Sequence, residues 1–451
     1  MKTNSQKTNN IESIIDKQLK RIHIKKLAKL SGFYKRKPRK IEAKKFIISF
    51  LMTIWSCKHN TYNTWANKLG LLINNTVSKQ AVAQRVNKEL VEFLRKVLQS
   101  IMKKSLSREG KEKVSDKLRV FKRIIIEDST AIHLNDKLKK DYPSIVKNGK
   151  ERATLKIQTA YEVTRKTFLN FELTSYRDND QGYAREILKI LKRGDLLIRD
   201  LGYFLLGVLK ELSQLGVCYV SRLKKGVFIY LSEAEEPIDL ASMLKKRGTL
   251  DMQVFLGKEE KMPARLIALP VEPEVAATRR RKARKDKNHG CNRRKDYFFL
   301  LGWNLLVTNI SEEQMDSAEI LKTYSMRWRI EIIFKSWKSC LGIKRIPQDA
   351  NRIRLDAFIY CMLIFILMFQ VNYYSLYSKK LSQALFEKKQ PHLSMMKFTQ
   401  YIIDNISYLI CFDYIKNHSI GRLINKQISY YCVYEKRPDK INFNQKLACL
   451  G

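Results

Sequence analysis

Residues Tyr324 to Lys338 read YSMRWRIEIIFKSWK. Tyr324, Arg327, Glu331, Lys335 and Lys338 follow one another at steps of three or four residues. At about 100° per residue in a helix, their side chains fall within an arc of roughly 80°. Met326, Ile330, Ile333 and Trp337 fall on the opposite side. The spacing predicts one long helix from near Asp316 to near Gly342, with an apolar back and a front carrying one carboxylate among three cations and a phenol. A single acid among cations can ligate Mg²⁺ while the cations hold the anion on which the metal acts. An ordinary exposed face, with Glu331 paired to Arg327 and Lys335 at i−4 and i+4, explains the same pattern.

Two further acids separate these readings. Arg123 to Glu127 (RIIIE) reads as a short buried strand ending at Asp128. Leu196, Leu197 and Ile198 form a second such strand leading to Asp200. Between them, Lys156 to Val163 and Thr167 to Thr174 form a hairpin around Thr164, Arg165 and Lys166. After Asp200, Gly202 opens a helix running from Tyr203 to Gln214, and Val217 to Ser221 is another strand. Carboxylates at the ends of two buried strands can converge at one sheet edge, and Glu331 on a packed helix can face them. Three such acids can hold two Mg²⁺ ions about 3.5–4 Å apart, the arrangement that activates an attacking oxygen and stabilises a leaving one in phosphodiester chemistry. Taken singly, Asp128 reads equally well as a helix or turn cap and Asp200 as the N-cap of the helix after it. Capping does not predict that both follow apolar strands and precede a Glu on a cationic helix face.

The composition narrows the partner. Among 451 residues, 87 Lys and Arg face 44 Asp and Glu, a formal charge of +43. An excess of this size points to a polyanion, nucleic acid first and an anionic membrane surface second. Eight cysteines are scattered without a C-x-x-C pair or histidines at zinc spacing, which indicates a reduced, cytosolic chain without a structural metal. The first thirty residues are polar and lack the apolar core of a signal peptide. The apolar run Ala357 to Phe369 is shorter than the ~20 residues that span a bilayer and reads as a buried helix.

Five regions follow. Residues 1–42 form a basic arm, partly ordered, that ends in the cluster Lys35 to Lys40. Residues 43–115 are helical, with a break at Gly70 and a helix N-capped by Ser78. That spacing resembles a helix-turn-helix with Lys79, Gln80, Gln84 and Arg85 available to a groove, although any small helical bundle looks similar. Residues 116–223 carry the first two acids. Residues 224–310 are a β-rich insertion with a dense basic loop that includes Arg279, Arg280, Arg281, Lys282 and Arg284, suited to tracking phosphates or, more plainly, a solvated linker. Residues 311–451 carry the Glu-bearing helix and further helices that close the core.

On these residues the chain resembles the DDE transposases of bacterial insertion sequences, specifically the insertion-sequence-four family. Asp128-Ser129-Thr130 matches that family's first acidic motif, and Asp200-Leu201-Gly202-Tyr203 its second, Asp-x-Gly-Tyr/Phe. The family signature is Tyr, two residues, Arg, three residues, Glu, six residues, Lys, and Tyr324, Arg327, Glu331 and Lys338 fit every interval. The resemblance covers roughly residues 115 to 345 and implies an α/β fold: an RNase H-like catalytic core interrupted by the β-rich insertion, with helical N-terminal and C-terminal regions. It implies that Asp128, Asp200 and Glu331 ligate two Mg²⁺ ions, with Mn²⁺ able to substitute. Tyr324, Arg327 and Lys338 would grip phosphates of the transposon end, and Lys335 on the same face would join them. Trp303, at the place where the family carries a stacking tryptophan, would hold a flipped base; its plainer reading is a strand residue of the core.

The expected activity is therefore cut-and-paste transposition in the bacterial cytoplasm, on the nucleoid, by a homodimer that pairs two inverted ends. Water attacks one strand, the freed 3′-OH attacks the other to close a hairpin, and the reopened ends join target DNA. A nuclease of the same fold without strand transfer, and a non-catalytic DNA-binding regulator built on the N-terminal helices, are the alternatives; no membrane partner is expected.

Overall fold

Ile124, Ile125 and Ile126 are fully buried and alternate between two hydrophobic cores, one on each face of a sheet. That alternation follows from the two-residue period of a strand, and the β-branched run favours the extended backbone. In this computed structural model the strand, β1, spans Ile124–His133. The structure describes residues 19, 21–35, 41–56, 60–106, 115–146, 149, 151–233, 236–285, 295–342, 346–347, 350–374, 393–405 and 418–433. The basic cluster from Arg36 to Lys40 and the basic residues Lys287, Arg293 and Arg294 lie outside the described residues.

The hairpin forms as expected: β2 (Thr154–Glu162) pairs antiparallel with β1 and with β3 (Thr167–Ser175). On the other side of β1 stand β4 (Leu196–Arg199) and β5 (Cys218–Arg222), each parallel to its neighbour. An antiparallel meander joined through β1 to two parallel strands, in the order β3-β2-β1-β4-β5, is an RNase H-like core. The sheet does not stop at β5. Beyond it, β9 (Trp303–Thr308), β8 (Met262–Pro270), β7 (Leu250–Leu256) and β6 (Ile229–Tyr230) continue as antiparallel neighbours, so nine strands form one sheet. The β-rich segment is thus joined edge to edge with the core.

Helices cover the sheet. The N-terminal ones are α1 (Ile24–Leu30), α2 (Ala43–Ser56), α3 (Tyr62–Ile73), α4 (Lys79–Ala83) and α5 (Lys88–Leu106). Two expectations about them change. Gly70 does not break α3; the helix runs to Ile73, and the Asn75 amide folds back to the Gly70 carbonyl at 3.1 Å. A Cβ at Gly70 would meet the Asn75 carbonyl oxygen at 2.8 Å, so glycine serves the turn after the helix. Ser78 caps α4 through the Ala81 amide, but that helix is five residues long and Arg85 turns back onto the Ala81 carbonyl. Five residues are little more than one turn.

The short helix α6 (Asp180–Tyr183) follows β3, and α7 (Leu206–Gln214) connects β4 to β5. The basic segment expected as a loop is, where described, the helix α8 (Pro273–Lys285). Its run of Ala, Arg and Lys has high helix propensity, which explains the difference. The long helix expected from Asp316 is two: α9 (Ser317–Ser325), capped by Asp316 and Glu319 in a capping box, and α10 (Trp328–Ser339). At the joint the amides of Met326, Arg327, Arg329 and Ile330 reach back three residues instead of four, tightening the chain between the helices. The apolar back of α10 holds. Ile330, Ile333 and Trp337 are buried, and the Trp337 ring packs on Phe168 and Phe171 of β3. The Ala357 run lies in α11 (Arg352–Phe365) and the π-helical turn Ile366–Tyr373, and its side chains fill the core. Among the described residues no helix is long and apolar enough to cross a membrane.

Candidate active site

Strand register brings the first two acids together. Glu127 and Arg199 form the last paired position of the parallel β1–β4 ladder, so Asp128 and Asp200 are the next residue on each strand. Asp200 leaves its strand there, as expected. Asp128 does not: β1 continues to His133, because residues after Asp128 still pair with β2, and Asp128 itself faces Thr159. The first acid therefore sits mid-strand, held by the ladder on both sides of it. Asp200 occupies the N-cap position of a 3-10 turn, Leu201–Tyr203, but its side chain makes no capping hydrogen bond. The carboxylate is thus left for the sheet edge, which removes the plainer reading of this residue.

Arg327, at the joint between α9 and α10, enters this edge and contacts all three acids. Its Nη1 lies 3.4 Å from Asp128 Oδ2, its Nε 3.7 Å from Asp200 Oδ1, and its Nη2 2.5 Å from Glu331 Oε1. Only the Glu331 contact is a tight charge-assisted hydrogen bond; the Nε, though near Asp200, makes no hydrogen bond. Burial pushes the Asp128 carboxyl up to about 7, helped by the charges of Asp200 and Glu331 and opposed by the Ser129 amide and Arg327. Burial works against the Arg327 charge too, yet Tyr324, Asp200 and Glu331 together hold that guanidinium above its ordinary value. Tyr324 places its ring 5.9 Å from the guanidinium, and burial pushes its hydroxyl up to about 12, opposed by the Arg327 charge.

The remaining candidates are less uniform. Lys335 and Lys338 are exposed on α10. On α8, Arg281, Lys282 and Arg284 stand toward solvent, whereas Arg279 donates to the Trp303 carbonyl at 3.1 Å and to Asn304, and Arg280 to the Phe298 carbonyl at 3.0 Å. Those two arginines bind α8 to the start of β9 and to the helix before it. Trp303 begins β9, opposite Pro270, half-buried with Phe299 at 6.0 Å.

As the side chains lie, no group of three or more His, Cys, Asp or Glu among the described residues is arranged to hold a metal ion. The cation that Asp128, Asp200 and Glu331 share is the Arg327 guanidinium. Their chemistry still fits a hard divalent ion: oxygen donors only, already gathered around one positive group.

A family described as "Transposase DDE domain" matches residues 119–366, more than half of the chain and the whole span from β1 to α11. The chain belongs to the DDE transposases. The transposase for insertion sequence element IS231C of Bacillus thuringiensis subsp. berliner is 30% identical over 412 residues, covering 86% of this chain and 83% of that one. The transposase for IS1151 of Clostridium perfringens is 28% identical over 370 residues, covering 76% of each. These relatives agree with the insertion-sequence-four family of the sequence motifs. Among solved structures, a piggyBac transposase synaptic complex with hairpin DNA aligns at a TM-score of 0.42 and 11% identity, over 93% of this chain and 83% of that one.

Several residues around this cluster of acids are not signalled by the motifs. Glu127 and Arg199, one residue before each acid, form a buried pair 2.7 Å apart on the opposite sheet face. Burial pushes Glu127 up to about 7 despite the pull of Arg199. A charge inside each apolar run is the available signal. Trp328, next to Arg327, is 63% exposed. It lies within the signature without being one of its fixed positions.

Proposed function

We propose that this transposase cuts both ends of its own insertion sequence and joins them to target DNA in a cut-and-paste reaction, with Asp128, Asp200 and Glu331 as ligands for Mg²⁺. The observation that carries the reading is the convergence of three acids, from β1, the end of β4 and α10, on the single guanidinium of Arg327. The chemistry that divalent ions supply when bound is activation of the attacking oxygen and stabilisation of the leaving one. The protein's own part is to hold three carboxylates on a rigid sheet edge and to surround them with cations. Arg327 and Lys338, with Lys335, take phosphates of the transposon end. Arg281, Lys282 and Arg284 on α8 extend the basic surface, and Arg279 and Arg280 support it through their bonds to the chain. Trp303 and the exposed indole of Trp328 offer faces on which an unstacked base can rest. Water attacks one strand, the freed 3′-OH closes a hairpin on the other, and the reopened ends attack the target. Two protomers pair the two ends, and the reaction takes place on nucleoid DNA in the cytoplasm.

A cleavage assay tests this. Wild type and Glu331→Gln are incubated with Mg²⁺ and labelled DNA carrying the sequences that flank the gene. Cutting at one terminal position by wild type alone, with a hairpin on a denaturing gel, is the expected result. Nicking without a hairpin would reduce the activity to hydrolysis, and binding without cutting by either form would overturn the catalytic reading.

A further inference from the structure

Ser129 and Gly202 belong to the two acidic motifs, yet neither reaches Arg327. Successive residues of a strand point to opposite faces, so Ser129 lies on the far side of β1 from Asp128. On that side the carboxylate of Asp180, from the first turn of α6, meets both motifs. Its Oδ1 accepts from the Ser129 hydroxyl at 3.2 Å, from Lys156 Nζ at 3.1 Å and from Gln158 Nε2 at 3.3 Å. Its Oδ2 faces Gly202, where an added Cβ would come within 2.9 Å. Gln158 in turn accepts from the Tyr203 hydroxyl at 2.5 Å. Lys156 is nearly buried, with its charge answered by Asp180 and its ammonium also bonded to the Asp178 carbonyl at 3.0 Å. One carboxylate therefore links the residue after Asp128, the second residue after Asp200 and, through Gln158, the third.

We propose that Asp180 is a positioning residue of this transposase: it locks the Asp128 strand and the Asp200 turn at a fixed separation. A methyl at the glycine of the Asp-Leu-Gly-Tyr motif would push the Asp180 carboxylate out of its place. This inference rests on the assignment of Asp128 and Asp200 as metal ligands. Groups behind metal ligands typically govern affinity or activity by about 10- to 100-fold without touching the metal.

The test uses the full chain and five variants, Asp180→Asn, Asp180→Ala, Ser129→Ala, Gly202→Ala and Asp180→Ala/Gly202→Ala. Two quantities are read: the Mn²⁺ concentration that half-saturates the thermal shift of the DNA-free protein, and the Mn²⁺ concentration that half-saturates end cleavage. Both are expected to rise about 10- to 100-fold in Asp180→Asn and Gly202→Ala, and by less in Ser129→Ala, with binding of end DNA in the absence of metal changed less than about two-fold. The double variant should be no worse than Asp180→Ala alone, because the group that collides with the new methyl is gone. Ser129→Ala removes one hydroxyl and keeps the inference testable if the Asp180 variants fail to fold. Wild-type Mn²⁺ requirements in Asp180→Asn and Ser129→Ala would overturn it, as would a double variant whose losses simply add. A wild type that binds Mn²⁺ without cutting, with that binding weakened in Asp180→Asn, would uphold the positioning role and refute the cleavage reading. A wild type that neither binds Mn²⁺ nor cuts would overturn both.

Discussion

Replacing Asp128 by Asn should stabilise the metal-free protein, and more so as the pH rises. In the folded chain the Asp128 carboxyl titrates at about 7, against an ordinary value of 3.8, chiefly because it is buried. A group whose folded value is raised binds more protons folded than unfolded between those limits, so stability falls as the pH climbs from about 4 to about 7 and stays reduced above. At about 1.36 kcal/mol per pH unit, the full cost of ionising Asp128 is roughly 4 kcal/mol. Relaxation around the charge reduces that figure, and about 2–4 kcal/mol is a realistic range. Asn keeps the shape and never ionises, so its advantage should be near zero at about pH 3 and reach that range by about pH 8. In a chain of this size the difference corresponds to a Tm gap of about 2 to 4 °C. The assay is thermal unfolding of both proteins in EDTA from about pH 3.5 to about pH 8.5, the interval that brackets the titration. An Asp128→Asn variant that melts at or below wild type at the alkaline end, or a gap that does not change with pH, would refute the burial of an ionisable acid at this position.

Three other outcomes are expected. Arg199→Met leaves Glu127 buried without its partner and should cost about 3–5 kcal/mol, whereas Glu127→Gln with Arg199→Met should recover most of it; unfolding midpoints of the single and double variants decide. Arg327→Ala removes the cation that the three acids share, and should tighten Mn²⁺ binding by the DNA-free protein roughly ten-fold while weakening end binding, measured by thermal shift and gel mobility; movement of both in one direction would contradict the geometry. With a formal charge of +43, affinity for end DNA should fall by at least about ten-fold between about 50 and 200 mM salt, and a flat response in a titration would rule out phosphate-dominated binding.

What the sequence made legible was governed by the range of the interactions involved. The apolar runs before Asp128 and Asp200 and the stripe of Ile330, Ile333 and Trp337 are local patterns, and they indicate the parallel strands and the packed face of α10 correctly. The ends of elements depended on partners far along the chain. β1 runs past Asp128 because β2 is there to pair with it, and nothing within residues 124–133 announces that. The tightened turn at Met326 and Arg327 is equally silent in a pattern of period 3.6, yet it places Arg327 at the sheet edge. Charges in strands were the least readable. Glu127, Arg199 and Lys156 look like solvated positions, and each is buried because its counter-charge arrives from another element.

Those buried charges give β1 two different roles on its two faces. Behind the sheet, Glu127 and Ser129 meet Arg199 and Asp180, which are already in place and keep strand and turn in register. In front, Asp128 accepts from the Ser129 amide at 2.8 Å and meets the shared guanidinium only at 3.4 Å, too long for a strong hydrogen bond. Behind the sheet Arg199 answers Glu127 and Lys156 answers Asp180, whereas in front one guanidinium is divided among three acids. A protein that needed Asp128 only for folding would be better served by Asn, since a neutral side chain there avoids the ionisation cost. An acid kept at that cost, beside two more acids and one cation shared among the three, has its ionised form stabilised only when further positive charge arrives. That is the electrostatic condition that binding of a divalent ion would relieve, and it is local to the front of β1, where the sheet edge and α10 come together.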